Sequence, residues 1–392
     1  VTGRRGERPG IAACGLMVVL IVALCCGVTV TRGQVMAAGL RFEHRVVDAD
    51  PPSGKGGYLD VCALGDLDGD GRTDIVVGSQ NSIGLVWYHN PDWKRYLIGP
   101  GEFTTDGEIA DINADGKAEI IASCAARDQI EWYERVGDPF HSEGWKRHRI
   151  GRGWAHDLAV GDVNGDGRLD VIAFSKYVTP PHLVWHEAPP DPRGAWTRHE
   201  IDQPPGEGLA IGDLDGDGHL DIAAGRSWYR NTDGHGTNWE KREITSEWTH
   251  DCRVAIVDVN RDGKLDIVLS HSEGKGRLSW FENPTWREHV IDAGPLEGAH
   301  SLAVADFDGD GKLDVMAGEM HTTSTRRVMV YRNLSGGDEW QRMVLATTGT
   351  HNARVGPLAP GGPPAIVGKN YDGPKQVEIW QAVVAPGRRA HR

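Results

Sequence analysis

An acidic nonapeptide of the form D-x-[DN]-x-D-G-x-x-[DE] recurs six times along this 392-residue chain, each copy set between short apolar stretches. Its oxygen-bearing positions 1, 3, 5 and 9 are Asp66, Asp68, Asp70 and Asp74 in the first copy and Asp111, Asn113, Asp115 and Glu119 in the second. They are Asp162, Asn164, Asp166 and Asp170 in the third, and Asp213, Asp215, Asp217 and Asp221 in the fourth. Asp258, Asn260, Asp262 and Asp266 make the fifth set, and Asp306, Asp308, Asp310 and Asp314 the sixth. The first residues lie 45, 51, 51, 45 and 48 positions apart. Spacing of that kind marks an array of one supersecondary unit, in which no unit buries its apolar face alone.

Oxygen ligands at these positions, with Gly at position 6 for a sharp turn, suit a hard cation that takes six to eight oxygens, and calcium fits better than magnesium. An EF-hand begins the same way but needs a Glu at position 12 and a following helix. Here position 12 of the first copy is Val77, and Asp74 runs into Ile-Val-Val-Gly, a strand pattern. The sequence therefore predicts β-hairpin calcium loops, about six structural ions in all. Twenty-one of the chain's 56 acidic residues occupy these ligand positions, and six calcium ions would bring the formal net charge of −14 to about −2. The acidic balance thus reports on metal sites and says little about partners.

Each repeat reads as four strands. In the third copy, His156-Asp-Leu-Ala-Val-Gly161 enters the loop, Leu169-Asp-Val-Ile-Ala-Phe174 leaves it, and Leu183-Val-Trp-His186 and Trp196-Thr-Arg-His-Glu-Ile201 follow. Four short strands per unit of this length make the blade of a β-propeller. A seventh unit lacks the acidic residues: aligning His351-Asn-Ala-Arg-Val-Gly356 with His300-Ser-Leu-Ala-Val-Ala305 puts Pro357, Ala359, Gly361 and Ala365 at the ligand positions. That unit has no fourth strand of its own, while Leu40-Arg-Phe-Glu-His-Arg-Val-Val-Asp48 reads like Trp286-Arg-Glu-His-Val-Ile-Asp292. The expectation is an all-β, seven-bladed propeller of four-stranded antiparallel blades, closed by the N-terminal strand joining the C-terminal blade, which removes exposed sheet edges.

The six loops, together with Gly78, Gly225, Gly318 and Gly368 at the ends of second strands, resemble FG-GAP/VCBS repeats. The resemblance, over residues 40 to 381, implies the propeller of integrin α-chains and of many bacterial surface and secreted proteins, with calcium in the loops. The repeated Trp/Tyr and Trp-x-Arg-His-x-Ile texture also resembles the propeller domain of aldos-2-ulose dehydratase, and propeller polysaccharide lyases are similar in architecture. Both resemblances imply chemistry that removes a proton beside a carbonyl or carboxylate and expels a β-oxygen.

Residues 1–38 read as a leader. Arg4, Arg5 and Arg8 precede an apolar run from Ile11 to Val30, with small residues Val35-Met-Ala-Ala38 for cleavage, and an uncleaved anchor is the other reading. The propeller is expected over 39–385, with a disordered tail at 386–392. Secretion, or placement in the periplasm or at the cell surface, suits calcium loops, and a monomer is expected. Cys62, Cys124 and Cys252 fall on three different blades, an odd number that implies small buried thiols and no disulfide framework.

In a propeller the first strand of each blade is innermost, so the residue six before each loop stands near the mouth of the central channel. These residues are Asp60, Thr105, His156, Glu207, Cys252, His300 and His351, with His250 two residues before Cys252. The turns joining second to third strands open on the same face and bring Lys176, Tyr177, Arg226, His271, Glu319, His321, Lys369 and Tyr371. The concentration of imidazole makes this face the candidate site. His156, His300 and His351 are candidates to hold a metal or a substrate oxygen, and Tyr177 or His250 to move a proton. Asp60, Lys176, Glu207, Arg226, His271, Glu319, Lys369 and Tyr371 are candidates to bind substrate. Neutral imidazoles beside a carboxylate suit an additional transition metal. Histidines on outer strands, His44, His148, His199 and His289, are read as structural, and the 14 Trp as inter-blade packing.

Two functions remain open at this point: a carbohydrate lyase or dehydratase, and a non-catalytic adhesion or recognition module on the same face. No basic stripe supports nucleic-acid binding, and no P-loop, G-x-S-x-G or H-E-x-x-H is present.

Overall fold

The computed structural model describes residues 34–37, 39–51, 59–80, 84–370 and 375–384. The apolar run from Ile11 to Val30 and the tail at 386–392 lie outside these residues. The described residues form seven antiparallel sheets, and their helical content is two three-residue 3-10 turns. The innermost strands are Leu59–Gly65, Phe103–Ala110, Asp157–Gly161, Leu209–Gly212, Cys252–Val257, Ser301–Ala305 and Arg354–Pro357. Each lies beside the next, and the last lies beside the first, which makes the array a ring.

Burial within a blade explains the sequence texture. Second strands such as Asp74–Ser79 and Asp170–Ser175 are buried along their whole length, so they read as uninterrupted apolar runs. Fourth strands such as Thr197–Asp202 form the outer edge and are largely exposed, so they carry Arg, His and Glu. Glycine stands at or beside the end of two second strands because a neighbouring side chain comes too close for a Cβ, from the next blade at Gly318 and from the same blade at Gly368. A Cβ on Gly318 would stand 2.3 Å from the Thr350 methyl, and one on Gly368 would stand 2.7 Å from the Trp380 ring.

The strand Leu40–Asp48 pairs antiparallel with Val377–Val384, from Leu40 opposite Val384 to Asp48 opposite Val377. Outside it Gln34–Ala37 adds a fifth strand, so this sheet departs from the four-strand expectation. The fifth strand falls in the segment 1–38 that the sequence reads as a leader.

Two side-chain devices repeat from blade to blade, and both continue through the N-terminal strand. In the first, a third-strand Trp stacks on a fourth-strand His whose ring bonds a Glu. The sets are Trp132/His148/Glu134, Trp185/His199/Glu187 and Trp280/His289/Glu282, with ring centroids 4.1–4.5 Å apart. Trp380, His44 and Glu378 make the same set across the N-terminal pairing. In the second, a third-strand Tyr hydroxyl donates to an Asp that ends the fourth strand of the preceding blade: Tyr229 to Asp202, Tyr331 to Asp292, and Tyr88 to Asp48. The outer histidines and the periodic tryptophans are therefore structural, as their spacing implies.

The acid-free seventh turn keeps its place in this pattern. At position 2 of each acidic loop a buried apolar residue anchors the turn, and in three of these loops, as in the seventh turn, the carbonyl at that position accepts an amide bond from an Asn on the next blade. Asn231 reaches Val163, Asn283 reaches Leu214, Asn333 reaches Val259, and Asn90 reaches Leu358 of the seventh turn. Cys62, Cys124 and Cys252 are free thiols and fully buried. No helix among the described residues is long and apolar enough to cross a membrane.

Candidate functional site

At the mouth of the channel the chain builds its site around Glu207. The local sequence Pro205-Gly-Glu-Gly208 explains the placement. Gly206 and Gly208 adopt φ of +99° and +92°, and a Cβ on either would lie about 2 Å from a carbonyl oxygen of the next blade, His250 or Cys252. These two glycines let the backbone press against the neighbouring strand, and the Glu207 amide donates to the His250 carbonyl. The Glu207 side chain is completely buried.

Two imidazoles aim at its carboxylate. His156 Nε2 lies 3.4 Å from Oε2 and His300 Nε2 lies 3.4 Å from Oε1. Each ring is fixed from behind: His156 Nδ1 is 3.0 Å from the Asp157 carboxylate, and His300 Nδ1 is 3.1 Å from the Asn352 side-chain carbonyl. Asn352 turns that carbonyl toward His300 because its amide nitrogen donates to the Thr105 and Asp60 carbonyls, at 2.7 and 3.3 Å. The Lys176 ammonium stands 3.1 Å from Glu207 Oε2 and 2.5 Å from Asp251. His351 stacks on His300 with centroids 4.3 Å apart, and its Nδ1 lies 3.6 Å from Asp60.

Charge partition follows from these contacts. Burial pushes the Glu207 carboxyl upward, but the His300 contact and the charges of His300, His156 and Lys176 outweigh it and hold the group well below its usual range. His156 is raised, because Asp157 and then Glu207 outweigh its own burial. His351 is driven well below its usual value by burial and by the facing His300. Burial lowers Lys369 to about 8 against the pull of Asp60, and the Lys369 ammonium donates to the Leu59 carbonyl at 3.0 Å.

Beside the mouth opens a cleft of about 560 Å³, lined by Lys176, Tyr177, Pro181, Pro205, Gly206, Thr249, His250 and Asp251. Tyr177 is half exposed, stacks on Trp154 at 5.8 Å between ring centroids, and lies 5.2 Å from the His156 ring. Burial, then the charge of Glu207, raises its hydroxyl to about 12. His250 is lowered, first by burial and then by Arg226. The cleft therefore presents a phenol that burial keeps protonated and an imidazole shifted toward its neutral form.

The opposite ends of the inner strands carry the acidic loops. Position 1 folds the turn on itself: Asp66 accepts amide bonds from Gly69 and Gly71, and the other five loops repeat the bond from the position 6 glycine. Position 9 is buried in every loop and accepts the amide of position 2, as Asp74 does from Leu67. None of the six position 9 carboxylates has a basic partner among the described residues. Burial raises Asp74, Glu119 and Asp314 to about 7, and Asp170, Asp221 and Asp266 to about 6. In the three loops with Asp at position 3, carboxylate oxygens of positions 1, 3 and 9 lie within 4.8 Å of one another: Asp66/Asp68/Asp74, Asp213/Asp215/Asp221 and Asp306/Asp308/Asp314. In these three loops the position 3 carboxylate has a basic partner, His89, Arg230 or Arg332, while the buried position 9 carboxylate has none, and a cluster of oxygens around that unbalanced group fits a hard divalent cation.

A model of the FG-GAP-like repeat matches residues 66–122, 111–173, 213–269 and 258–317, together more than half of the chain, and each match begins at position 1 of an acidic loop. The chain belongs to this FG-GAP-like repeat family. Cartilage acidic protein 1 of Homo sapiens is 25% identical over 320 residues, 69% of this chain and 48% of that protein. The Mus musculus protein matches at the same identity over 50% of its length, so the chain spans about half the length of these curated relatives. Among solved structures, rhamnogalacturonan lyase YesW superimposes with a TM-score of 0.52 at 14% identity, over 89% of this chain and 77% of that one. Saccharomyces cerevisiae Sqt1 superimposes with a TM-score of 0.50 at 10% identity, over 86% of this chain and 98% of that one. At these identities the likeness is one of fold.

The FG-GAP propeller brings together most of the residues singled out from the sequence. Asp60, His156, Lys176, Tyr177, Glu207, His300, His351 and Lys369 surround the mouth, and His250 lines the adjoining cleft. Three others are held elsewhere. Arg226 donates to the Ser246 and Trp248 carbonyls and pairs with Glu243. His271 stacks on Trp248 at 4.3 Å, and Glu319 is gripped by Arg327, Thr325 and two backbone amides. Tyr371 lies outside the described residues. Thr105 sits at a bulge with φ of +58° and donates to the Ala155 carbonyl, so its hydroxyl is already engaged.

Counting six residues back from each loop missed a second charged layer one residue further along the strands. Asp157 joins Arg253 across the channel, and Asp106 joins Arg354, which also bonds the Cys62 carbonyl. Strand side chains alternate with period two. Offset five, with Asp106, Asp157 and Arg253, was the place in the sequence to find that layer.

Proposed function

We propose that this FG-GAP propeller is an exported protein, stabilised by calcium in six loops, that acts on carbohydrate by elimination or dehydration at the channel mouth. The observation that carries this reading is the cleft in which Lys176, Tyr177 and His250 adjoin the buried His156–Glu207–His300 cluster. Removal of a proton beside a carbonyl needs a neutral base, and the depressed His250 supplies one. Expulsion of a β-oxygen needs an acid, and the Tyr177 hydroxyl, raised to about 12, keeps its proton at neutral pH. In this reading the Lys176 ammonium, in the cleft wall, would stabilise charge developing on an enolate oxygen. The Trp154–Tyr177 stack offers an apolar face for a sugar ring.

Calcium in this reading is structural. The loops would hold it through positions 1, 3, 5 and 9, where it neutralises carboxylates that otherwise face one another. That the superimposable YesW is a rhamnogalacturonan lyase supports a carbohydrate substrate by fold analogy alone.

The test is incubation of the purified protein with uronate-containing glycans and with keto-sugars, following the ultraviolet absorbance of an unsaturated product. Turnover that is lost in His250→Ala supports the proposal. Saturable glycan binding with no product from either substrate class makes the same face a recognition module.

A further inference from the structure

The two histidines at Glu207 meet it in a way that hydrogen bonding does not explain. With Nδ1–H of His156 committed to Asp157 and Nδ1–H of His300 committed to Asn352, each ring in its neutral form presents the Nε2 lone pair to the carboxylate. Lone pair then faces lone pair at 3.4 Å on both sides of one carboxylate. The distance is also wrong for an imidazolium donating to a carboxylate, which closes to about 2.7–2.9 Å. Neither Glu207 oxygen accepts a well-formed hydrogen bond, although the residue is fully buried. Lys176 approaches one oxygen as an ion pair and leaves Oε1 without a charged partner other than His300.

We infer that His156 Nε2, His300 Nε2 and the Glu207 carboxylate are ligands for one divalent transition metal of the zinc class. All three ligand atoms lie within 4.8 Å of one another and all three residues are buried. In a tetrahedral zinc site with metal–ligand distances of about 2.1 Å, neighbouring ligands stand about 3.4 Å apart. Each Nε2 stands at that separation from one oxygen of the carboxylate, His156 from Oε2 and His300 from Oε1, so the two imidazoles approach opposite oxygens of the one group. Two nitrogens select against calcium and magnesium and for a borderline cation. The partners behind the rings, Asp157 and Asn352, are the second shell that fixes tautomer and orientation in such sites. His351, a candidate ligand on sequence grounds, is excluded from the set: it stacks face to face on His300 and turns Nδ1 to Asp60.

The inference rests on the mouth as the working site and deepens it. With both imidazoles neutral, Asp251 on the cleft wall and Glu207 beside it share one ammonium, Lys176, a negative balance that disfavours a uronate substrate. A divalent ion with an open fourth position reverses that balance and gives a sugar oxygen a place to bind.

The full chain, stripped of transition metal and kept in excess calcium so that the acidic loops stay filled, is titrated with Co²⁺ and Zn²⁺. The expected result is one Co²⁺ per chain with the intense visible absorption of tetrahedral coordination, displaced by one Zn²⁺. His156→Ala, His300→Ala and Glu207→Gln should each weaken binding by about 100-fold or more, going beyond the 10–100-fold typical of second-shell partners. His141→Ala, at an exposed histidine, should bind as the parent does. Circular dichroism and melting in calcium separate metal loss from misfolding, and His156→Gln serves if the alanine variant does not fold. Uptake of no Co²⁺ by the parent, or unchanged uptake by folded His156 and His300 variants, overturns the inference. Glycan turnover by metal-free protein would sink the metal while sparing the proposed function. Metal uptake without turnover would do the reverse.

Discussion

The two faces of the disc are built by opposite rules. On one, six loops repeat the same donors, the same position 2 anchor and the same buried position 9 carboxylate, so each blade contributes an equal share. On the other, seven equivalent positions carry Asp, Thr, His, Glu, Cys, His and His, and the residues that matter converge from different blades onto Glu207. Repetition serves the ring, and departure from repetition serves the site. A side chain that recurs at every blade is held by its own blade and the next. One that occurs once is free to be aimed at something else.

That contrast breaks most readily at the loops. Removing calcium with excess EGTA should lower the melting temperature by about 10–12 °C. At free calcium tenfold above Kd each loop contributes about 1.4 kcal/mol, on the order of 8 kcal/mol for six. Unchanged melting in chelator would reduce the acidic face to solvated turns.

The mouth should respond in activity and leave melting alone. His250→Ala is expected to reduce turnover by about 10²–10⁴-fold, the usual contribution of a positioned general base, with the melting temperature within a degree or two of the parent. Steady-state kinetics beside scanning calorimetry checks this, and a variant that melts early at full activity would invert the assignment.

A third experiment contrasts two kinds of buried histidine. His186, on a third strand, faces no carboxylate, and burial lowers it to about 4. The unfolded chain takes up that proton near pH 6.5 while the folded chain refuses it until about pH 4, so this contribution is complete above 6.5 and lost as pH falls through the interval. His186→Leu should flatten the fall in stability between pH 7 and 4.5 by on the order of 2–3 kcal/mol, read from urea unfolding at each pH. His156, by contrast, is raised by Asp157 and Glu207.

The smallest effect is expected from one loop alone. Asp306→Asn should lower melting by about 2 °C in calcium, the share of a single site, and leave turnover unchanged. Loss of turnover in this variant would couple the two faces.

How far the sequence reached follows the same division. The blade count and the outer histidines were legible because they recur, and the acid-free seventh turn keeps its place in the pattern, with Leu358 taking an Asn bond as Val163, Leu214 and Val259 do. The mouth was legible only in part. The offset of six located His156, Glu207 and His300, because entry residues sit just above the strand. It passed over Asp157, Arg253, Asp106 and Arg354, which belong to the other phase of a period of two. Arg226, His271 and Glu319 looked available from composition, but each sits in a turn whose own carbonyls and carboxylates engage it. Such local bonds depend on where neighbouring turns end, which spacing along the chain does not record.

The pairing of Leu40–Asp48 with Val377–Val384 has a consequence for the order in which the molecule is made. His44 and Glu378 are 334 positions apart, and no nearer residue substitutes for either. Leu40–Asp48 finds a local partner only in the short strand Gln34–Ala37 and meets its other neighbour once residues 377–384 exist, the kind of long-range join that makes folding slow. Closure of the ring through this strand therefore waits on residues 377–384, whatever the order in which the other blades form.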